Sequence, residues 1–223
     1  MLSVIFDWDG VVIDSSRQHE ESWELLAEEE GLSLFDGHFK IGFGKRIELI
    51  IRTILEWTSD PEEIARLGDR KEILYREIIQ RDGIILQPGV GEFVKLLQEK
   101  KVPYAIGSST PRKNIESVLK YMNREDWFFH IVAAADVEKG KPNPEVFLKA
   151  AEKLEVAPER CVVFEDSLSG IEAGKVCNMK VVALTTTNSR EILEKSSADL
   201  IVDSFNEVTI DRLVEFVDSA TKI

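Results

Sequence analysis

The sequence predicts an α/β protein with a Rossmann-like, doubly wound parallel sheet and an all-helical cap inserted after the first strand. Three observations lead to this prediction. Short apolar runs recur along the chain, which is typical of parallel strands that are buried on both faces. The segments between these runs carry apolar positions on one helical face. The long interval between residues 14 and 87 shows helical periodicity and no convincing buried strand.

The elements follow in order along the chain. The apolar runs predict strands at residues 2–6, 102–106, 131–134, 161–164, 180–184 and 200–202. Helical periodicity predicts helices at about residues 16–30, 45–57 and 61–80. The pairs Thr110-Pro111 and Asn143-Pro144 each resemble an N-cap followed by proline at the first helical position, so two further helices are expected to start there.

Turn-rich segments at residues 14–16 and 87–89 are the predicted hinges of the inserted part. We therefore expect a catalytic core formed by residues 1–14 and 84–223, and a cap domain formed by residues 15–83. We call residues 15–83 the helical insertion.

Charge and composition exclude several classes of protein. The 223 residues include 28 Lys and Arg against 41 Asp and Glu, which gives a formal charge of −13. Because an acidic surface without a basic cluster repels phosphate backbones and anionic lipid, we expect neither a nucleic-acid-binding nor a membrane-surface protein. Two cysteines and three histidines are too few for a disulfide framework or a zinc site. A reduced, cytoplasmic setting is the expectation, and nothing implies a protein partner.

Polar residues follow several of the predicted strands. Ligands bind at the carboxyl ends of the strands in open α/β sheets, so these residues are the candidates for function. The first strand leads into Asp7-Trp8-Asp9-Gly10, the second into Gly107-Ser108-Ser109-Thr110, and the fourth into Glu165-Asp166. Lys141 precedes the helix between the third and fourth strands. Carboxylates, hydroxyls and a cation are therefore expected at one edge of the sheet.

Each of these groups also has an ordinary structural interpretation. The segment after the first strand could be an acidic turn or a calcium loop. A calcium loop needs an oxygen ligand, a glycine and a glutamate where this chain has Val11, Val12 and Gln18, so the calcium interpretation fails. Ser108 or Asp166 could be a helix N-cap. None of these interpretations explains why the polar groups occur together at consecutive strand ends.

A magnesium-dependent phosphoryl transfer accounts for the whole set. Mg²⁺ takes a few carboxylates together with a substrate phosphate, which suits Asp7 and Asp166. Asp7 is the candidate nucleophile that would form an aspartyl-phosphate. Asp9 is the candidate acid and base, since it lies just past the strand end. Lys141 and the Ser108 hydroxyl would neutralise and hold the oxygens of the transferring group.

The four segments resemble, in order, the four motifs of the haloacid dehalogenase superfamily, and the resemblance covers essentially the whole chain. The helical insertion is similar to the cap of β-phosphoglucomutase and phosphoglycolate phosphatase. The resemblance implies that Asp7 is the nucleophile and Asp9 the acid and base. It also implies that Mg²⁺ is held by Asp7, by the backbone carbonyl of Asp9 and by Asp166, with Glu165 accessory to the metal shell. The dehalogenating branch lacks the second aspartate, so Asp9 argues against that activity.

Polar side chains interrupt apolar faces within the helical insertion. Lys71 lies on the same helical face as Leu67 and Leu74, and His19 shares a face with Trp23. Periodicity alone favours a lysine that reaches out to solvent and a buried, hydrogen-bonded histidine. The resemblance instead implies that both residues face the active site. The predicted substrate-binding residues are accordingly His19, Lys45, Arg46, Lys71 and Ser109.

Three functions remain open at this point. The first is a phosphatase acting on a small, sugar-type phosphate monoester. The second is a phosphomutase, which needs a cap that grips a second phosphate and excludes water. The third is a non-catalytic metal or phosphate binder, which is disfavoured because every catalytic residue type is present. Arg70-Lys71 is similar to a pair in a riboflavin-pathway nucleotide-precursor phosphatase, which provides one specific substrate hypothesis.

Overall fold

Parallel strands form the centre of the protein. The computed structural model describes residues 1–219. The strands are β1 (Ser3–Phe6), β2 (Ile13–Asp14), β3 (Ile85–Leu86), β4 (Tyr104–Gly107), β5 (Ile131–Val132), β6 (Cys161–Glu165), β7 (Lys180–Leu184) and β8 (Leu200–Val202). Six of them pair in parallel in the order β5-β4-β1-β6-β7-β8. All the predicted strands are thus confirmed, and the Rossmann-like sheet is present.

Helices cover this sheet and fill the interval between β2 and β3. They are α1 (Ser16–Glu30), α2 (His38–Gly42), α3 (Ile47–Leu49), α4 (Pro61–Asp82), α5 (Val90–Glu99), α6 (Arg112–Tyr121), α7 (Glu145–Lys153), α8 (Leu168–Val176), α9 (Arg190–Leu193) and α10 (Ile210–Ser219). Within residues 1–219, no helix combines the length and the apolar character that crossing a membrane requires.

The predicted helix at residues 45–57 is confirmed only over residues 47–54, and these do not form one regular α-helix. A single turn, α3, is followed by a π-helical turn at Ile50–Ile54. The side chains of this run are mostly β-branched and lose rotamer freedom in a regular α-helix. The wider turn buries Ile50 and Ile51. The other two predicted helices of the insertion are confirmed as α1 and α4.

Thr110 and Asn143 were predicted as the N-caps of α6 and α7. The N-cap of each helix is instead the proline that follows, so both predictions were one residue too early. Asn143 still accepts a hydrogen bond from the backbone N–H of Glu145 at 3.1 Å. The Thr110 hydroxyl instead donates to the carboxylate of Asp9. A charged acceptor forms a stronger hydrogen bond than a neutral one, which explains why this threonine contributes to the site.

Alternate residues of β1 face opposite helical layers. Val4 and Phe6 belong to a hydrophobic cluster that includes Phe93 of α5. Ile5 belongs to a second cluster, which includes Phe147 of α7. Because both faces of the sheet are covered, the carboxyl ends of its strands are the edge at which polar side chains can gather.

The helical insertion has its own hydrophobic cluster, which contains Trp23 of α1 and Leu67 of α4. The chain enters and leaves the insertion through an antiparallel pair, in which Ile13 of β2 lies opposite Leu86 of β3. The sequence did not predict this pair. Each strand has two residues and Ile85 is 66% exposed, so the alternation of buried and exposed positions that reveals a strand is missing.

Candidate functional site

Three buried carboxylates and one lysine meet at the carboxyl ends of β1 and β6. Oxygens of Asp7, Glu165 and Asp166 lie within 4.8 Å of one another, and we call these residues the carboxylate cluster. The Nζ atom of Lys141 lies 2.9 Å from Asp7 Oδ1 and 2.6 Å from Glu165 Oε1. The side chain of Lys141 is 2% exposed. Residues that are far apart in sequence are therefore brought into direct contact, as the strand-end argument anticipates.

Three carboxylates share one neighbouring cation, Lys141. Burial raises the pKa of Asp7 to about 7, and Glu165 adds to the increase, whereas Lys141 and the Ser108 hydroxyl oppose it. Burial also raises the pKa of Asp166 well above its usual value, with further contributions from the other two carboxylates. Carboxylates that are removed from water and placed side by side disfavour ionisation. A cation bound among them would relieve this cost.

Glu165 is fixed by hydrogen bonds of its own. Its Oε2 atom accepts from the backbone N–H groups of Asp166 and Ser167, each at 2.8 Å, and from the Ser167 hydroxyl at 3.0 Å. Gly170 makes room for the carboxylate, since a Cβ at this position would lie 1.7 Å from Glu165 Oε1. With Oε1 bound to Lys141, Glu165 orients that lysine and the start of α8.

The carboxylate cluster fits a magnesium ion by the chemistry of its donors. Mg²⁺ is a hard cation that binds oxygen ligands and needs only one or two carboxylates beside its water and phosphate ligands. Asp7 and Asp166 can supply them, because Glu165 is engaged elsewhere. The side chain of Asp9 is not part of the cluster. Its predicted contribution to the metal is through the backbone carbonyl.

The carboxylate of Asp9 contacts the helical insertion. Ser15 Oγ donates to Asp9 Oδ1 at 2.6 Å, His19 Nε2 lies 3.1 Å from the same oxygen, and the Thr110 hydroxyl donates to Oδ2. Burial acts to raise the pKa of Asp9, but the contact with His19 and the hydrogen bonds from the two hydroxyls outweigh it and lower the pKa to about 2. Asp9 is therefore ionised at neutral pH in this arrangement.

His19 and Lys71 form a buried pair behind Asp9. Lys71 Nζ lies 2.7 Å from His19 Nδ1 and 3.3 Å from a carboxylate oxygen of Glu72. The imidazole stacks on Tyr75 with ring centroids 4.0 Å apart. A lysine ammonium only donates, so Nδ1 accepts and Nε2 carries the hydrogen that faces Asp9. Lys71 is 3% exposed and does not reach solvent, contrary to the interpretation from periodicity.

Arg46 reaches from the helical insertion to the backbone of the core. Its guanidinium donates to the carbonyls of Val137 at 2.9 Å, Glu138 at 3.0 Å and Ala134 at 3.4 Å. Although it was predicted as a substrate contact, Arg46 therefore uses its donors to join two parts of the protein. Its neighbour Lys45 is exposed.

A cleft of about 830 Å³ lies between the helical insertion and the core. The predicted residues that line it are Asp9, His19, Lys45, Arg46, Lys71 and Ser109. Aromatic side chains add an apolar wall formed by Trp23, Phe39 and Phe43. Arg70 instead faces outward, where it binds Glu29 at 2.7 Å, so the two members of the Arg70-Lys71 pair are in different environments. The cleft is large enough for a small organic molecule.

Hydroxyl and amide groups after β7 were missed by the sequence analysis. The Thr187 hydroxyl donates to Asp166 Oδ2, and the Thr186 hydroxyl lies 3.4 Å from the same oxygen. Asn188 Nδ2 donates to the backbone carbonyl of Asp166 at 2.8 Å. The strand-end rule applied to β7, whose apolar run stops just before these residues, would have selected them.

Comparison with known proteins places the chain in a family. Residues 1–178 match the family model of haloacid dehalogenase-like hydrolases. The chain is 36% identical over 221 residues to the chloroplastic 5-amino-6-(5-phospho-D-ribitylamino)uracil phosphatase of Arabidopsis thaliana, an alignment that covers 98% of this chain and 58% of that protein. It is 32% identical over 208 residues to the phosphorylated carbohydrates phosphatase of Thermotoga maritima, covering 90% of this chain and 94% of the relative.

The fold is shared with solved structures as well. The crystal structure of β-phosphoglucomutase from Clostridium difficile matches with a TM-score of 0.84 and 28% identity, covering 99% of both chains. The resemblance seen in the sequence motifs is thereby confirmed. The chain is an enzyme that belongs to the haloacid dehalogenase-like hydrolases.

Proposed function

We propose that this hydrolase is a Mg²⁺-dependent phosphatase that cleaves small, sugar-type phosphate monoesters through an aspartyl-phosphate on Asp7. The main support is the carboxylate cluster, in which Asp7 lies beside Lys141 and Asp166 at the end of the sheet. Two relatives reported above are phosphatases by name, one of a ribitylaminouracil phosphate and one of phosphorylated carbohydrates.

The first half of the reaction transfers the phosphoryl group to the enzyme. A carboxylate oxygen of Asp7 attacks phosphorus, and the bond between phosphorus and the leaving oxygen breaks. Lys141 and the Ser108 hydroxyl, which both neighbour Asp7, stabilise the oxygens of the transferring group. A bound Mg²⁺ supplies charge neutralisation for the same oxygens. Asp9 gives a proton to the leaving oxygen, which departs as an alcohol.

The second half returns Asp7 to its starting state. Water attacks the phosphorus of the aspartyl-phosphate while Asp9 takes its proton, and inorganic phosphate leaves. The lowered pKa of Asp9 keeps its carboxylate ionised, which is the form that can accept a proton. The proton that Asp9 takes from water in this half is the one that it gives to the leaving oxygen of the next turnover. His19 Nε2 lies 3.1 Å from the Asp9 carboxylate and Lys71 lies beside the other nitrogen of His19, so the pair holds Asp9 in place for this exchange.

A phosphomutase is the second candidate, because one of the similar structures is a β-phosphoglucomutase. That reaction needs cations on the helical insertion to hold a second phosphate. Arg46 donates to core carbonyls and Lys71 is buried against His19. Of the three cations predicted to bind substrate, Lys45, Arg46 and Lys71, Lys45 alone is exposed, which favours the phosphatase.

The test is hydrolysis of an aryl phosphate by the purified protein. We expect release of inorganic phosphate with Mg²⁺, none with a chelator, and none from Asp7→Asn. Asp36→Asn, at an exposed position, is the control. Turnover by Asp7→Asn would contradict the assignment of Asp7 as the nucleophile. A second assay with β-glucose 1-phosphate and a bisphosphate activator separates the two candidates, because a mutase forms glucose 6-phosphate without net release of phosphate.

A further inference from the structure

We propose that Thr187 is a positioning residue for the metal ligand Asp166. Its hydroxyl would hold one carboxylate oxygen so that the other is presented to Mg²⁺. The inference rests on the metal site of the proposed function and extends it to the loop after β7, which none of the predicted motifs includes.

The loop binds Asp166 at both its side chain and its backbone. Thr187 donates to Oδ2, and the Thr186 hydroxyl lies 3.4 Å from that oxygen. Asn188 donates to the backbone carbonyl at 2.8 Å. Since the side chain of Asp166 is 2% exposed, water has little access to replace these contacts. The loop therefore sets the orientation of the carboxylate.

The backbone of Gly10 also lies close to this oxygen. Gly10 has φ of 76°, and a Cβ there would lie 1.9 Å from Asp166 Oδ2 and 3.1 Å from Thr187 Oγ1. Oδ2 is thus crowded by both Thr187 and Gly10. Oδ1 is the oxygen left to bind a metal together with Asp7.

The energetic reason for this arrangement is the cost of a buried carboxylate next to two others. A hydroxyl donor stabilises the ionised form, which is the form that ligates a metal. Outer partners that orient a metal ligand typically change metal affinity by about 10- to 100-fold when they are removed. Thr187 acts through Asp166 and is not among the residues that line the cleft.

The same loop offers a matched control. Thr185 is two residues away, and its hydroxyl donates to Asp203 Oδ1 at 2.7 Å, not to Asp166. Thr185→Val and Thr187→Val remove the same group from neighbouring positions. Thr187→Ser keeps the hydroxyl and tests whether that group is responsible.

The experiment is calorimetric titration of Mg²⁺ into the metal-free protein, which requires no substrate. We expect the Kd for Mg²⁺ to rise about 10- to 100-fold in Thr187→Val, to return close to the native value in Thr187→Ser, and to be unchanged in Thr185→Val. Melting temperatures in chelator identify any variant that fails to fold. Thr187→Ala replaces the valine variant in that case, with the same loss expected.

Two results would overturn the proposal, and they separate failure of the positioning role from failure of the metal site. If the native protein binds Mg²⁺ and Thr187→Val, or its alanine replacement, binds it equally well, Thr187 does not position the ligand and the metal site stands. If the native protein binds no Mg²⁺, the metal site of the proposed function fails together with the inference.

Discussion

Asp7 and Asp9 are two residues apart and lie in opposite electrostatic environments. Burial beside other carboxylates raises the pKa of Asp7 to about 7. At Asp9, the effect of burial is outweighed by His19 and by the hydroxyls of Ser15 and Thr110, and the pKa falls to about 2. Neighbouring carboxyls whose pKa values are driven apart are typical of acid-base sites. The two aspartates therefore lie in different environments, and a cation bound beside Asp7 would favour its ionised form, which is the form that attacks phosphorus.

Replacing Asp9 tests its role in proton transfer. We expect Asp9→Asn to lower kcat by about 10²- to 10⁴-fold, because the amide can neither protonate the leaving oxygen nor activate water. Phosphate release from an aryl phosphate measures the effect, and Asp36→Asn is again the control. A near-normal rate would show that another group carries the proton.

Lys71 and the adjacent Arg70 form a matched pair for a second test. We expect Lys71→Met to lower kcat about tenfold, or ~1.4 kcal/mol, because His19 loses the partner of its Nδ1 atom. Arg70→Met should leave kcat unchanged, since Arg70 contacts Glu29 on the outer surface. His19→Gln and the double variant complete a cycle, and strictly additive effects would contradict coupling between His19 and Lys71.

Two further sets of contacts join the helical insertion to the core. The loop before α3 contributes Arg46, which donates to three carbonyls of the segment between β5 and α7. On α4, Arg76 donates to Asn114 Oδ1 of α6 at 2.6 Å, and Asn114 donates in turn to Glu72. Asn114 is fully buried. These contacts hold the cleft in its observed shape.

Removing the Arg46 contacts tests how much they contribute to substrate binding. We expect Arg46→Met to raise KM about tenfold, because a hydrogen bond from a charged donor contributes about 1.5–3 kcal/mol and part of that energy keeps the cleft closed. Arg66→Met, on the exposed face of α4, is the control and should not change KM. An unaltered KM in Arg46→Met would show that the cleft does not depend on these bonds.

At the scale of the whole molecule, the sheet and the helical insertion have separate hydrophobic clusters. The short β2-β3 pair lies where the chain passes between them. These observations support our proposal that residues 15–83 form a cap domain on a core of residues 1–14 and 84–223. Tyr75 and Ile79 of α4 belong to the core cluster, so α4 contributes to both parts.

The pH dependence of stability is expected to include a contribution from Asp199. Burial acts to raise its pKa, but hydrogen bonds from Lys175 at 2.6 Å and from the backbone of Val181 at 2.9 Å outweigh it, so the pKa is lowered below 3.8. A lowered pKa in the folded state stabilises the protein at pH values above the unfolded pKa, and this stabilisation is lost as the pH falls. We therefore expect Asp199→Asn to lower Tm at pH 7 and to have a smaller effect near pH 3. Equal losses at both pH values would contradict this assignment.

Much of the architecture was readable from the sequence, because it depends on local patterns. Apolar runs of strand length and helical periodicity identified the sheet, α1 and α4. Asp7 and Asp166 could be selected because strand ends in a parallel sheet converge whatever the detailed packing, and Lys141 because it precedes a helix between two of the strands. The β2-β3 pair and the π-helical turn were missed, since neither has a periodic pattern of sufficient length.

The partners of the site residues were decided by the tertiary structure alone. Lys71 and His19 are 52 positions apart, and Arg46 and Glu138 are 92 positions apart. Thr187 and Asp166 meet only because β6 and β7 are neighbours in the sheet. Periodicity indicates which face of an element is buried, but not which polar group lies opposite a buried donor. The sequence therefore determined the fold and the edge of the sheet that holds the candidate site, whereas packing decided which cations and hydroxyls contact each carboxylate.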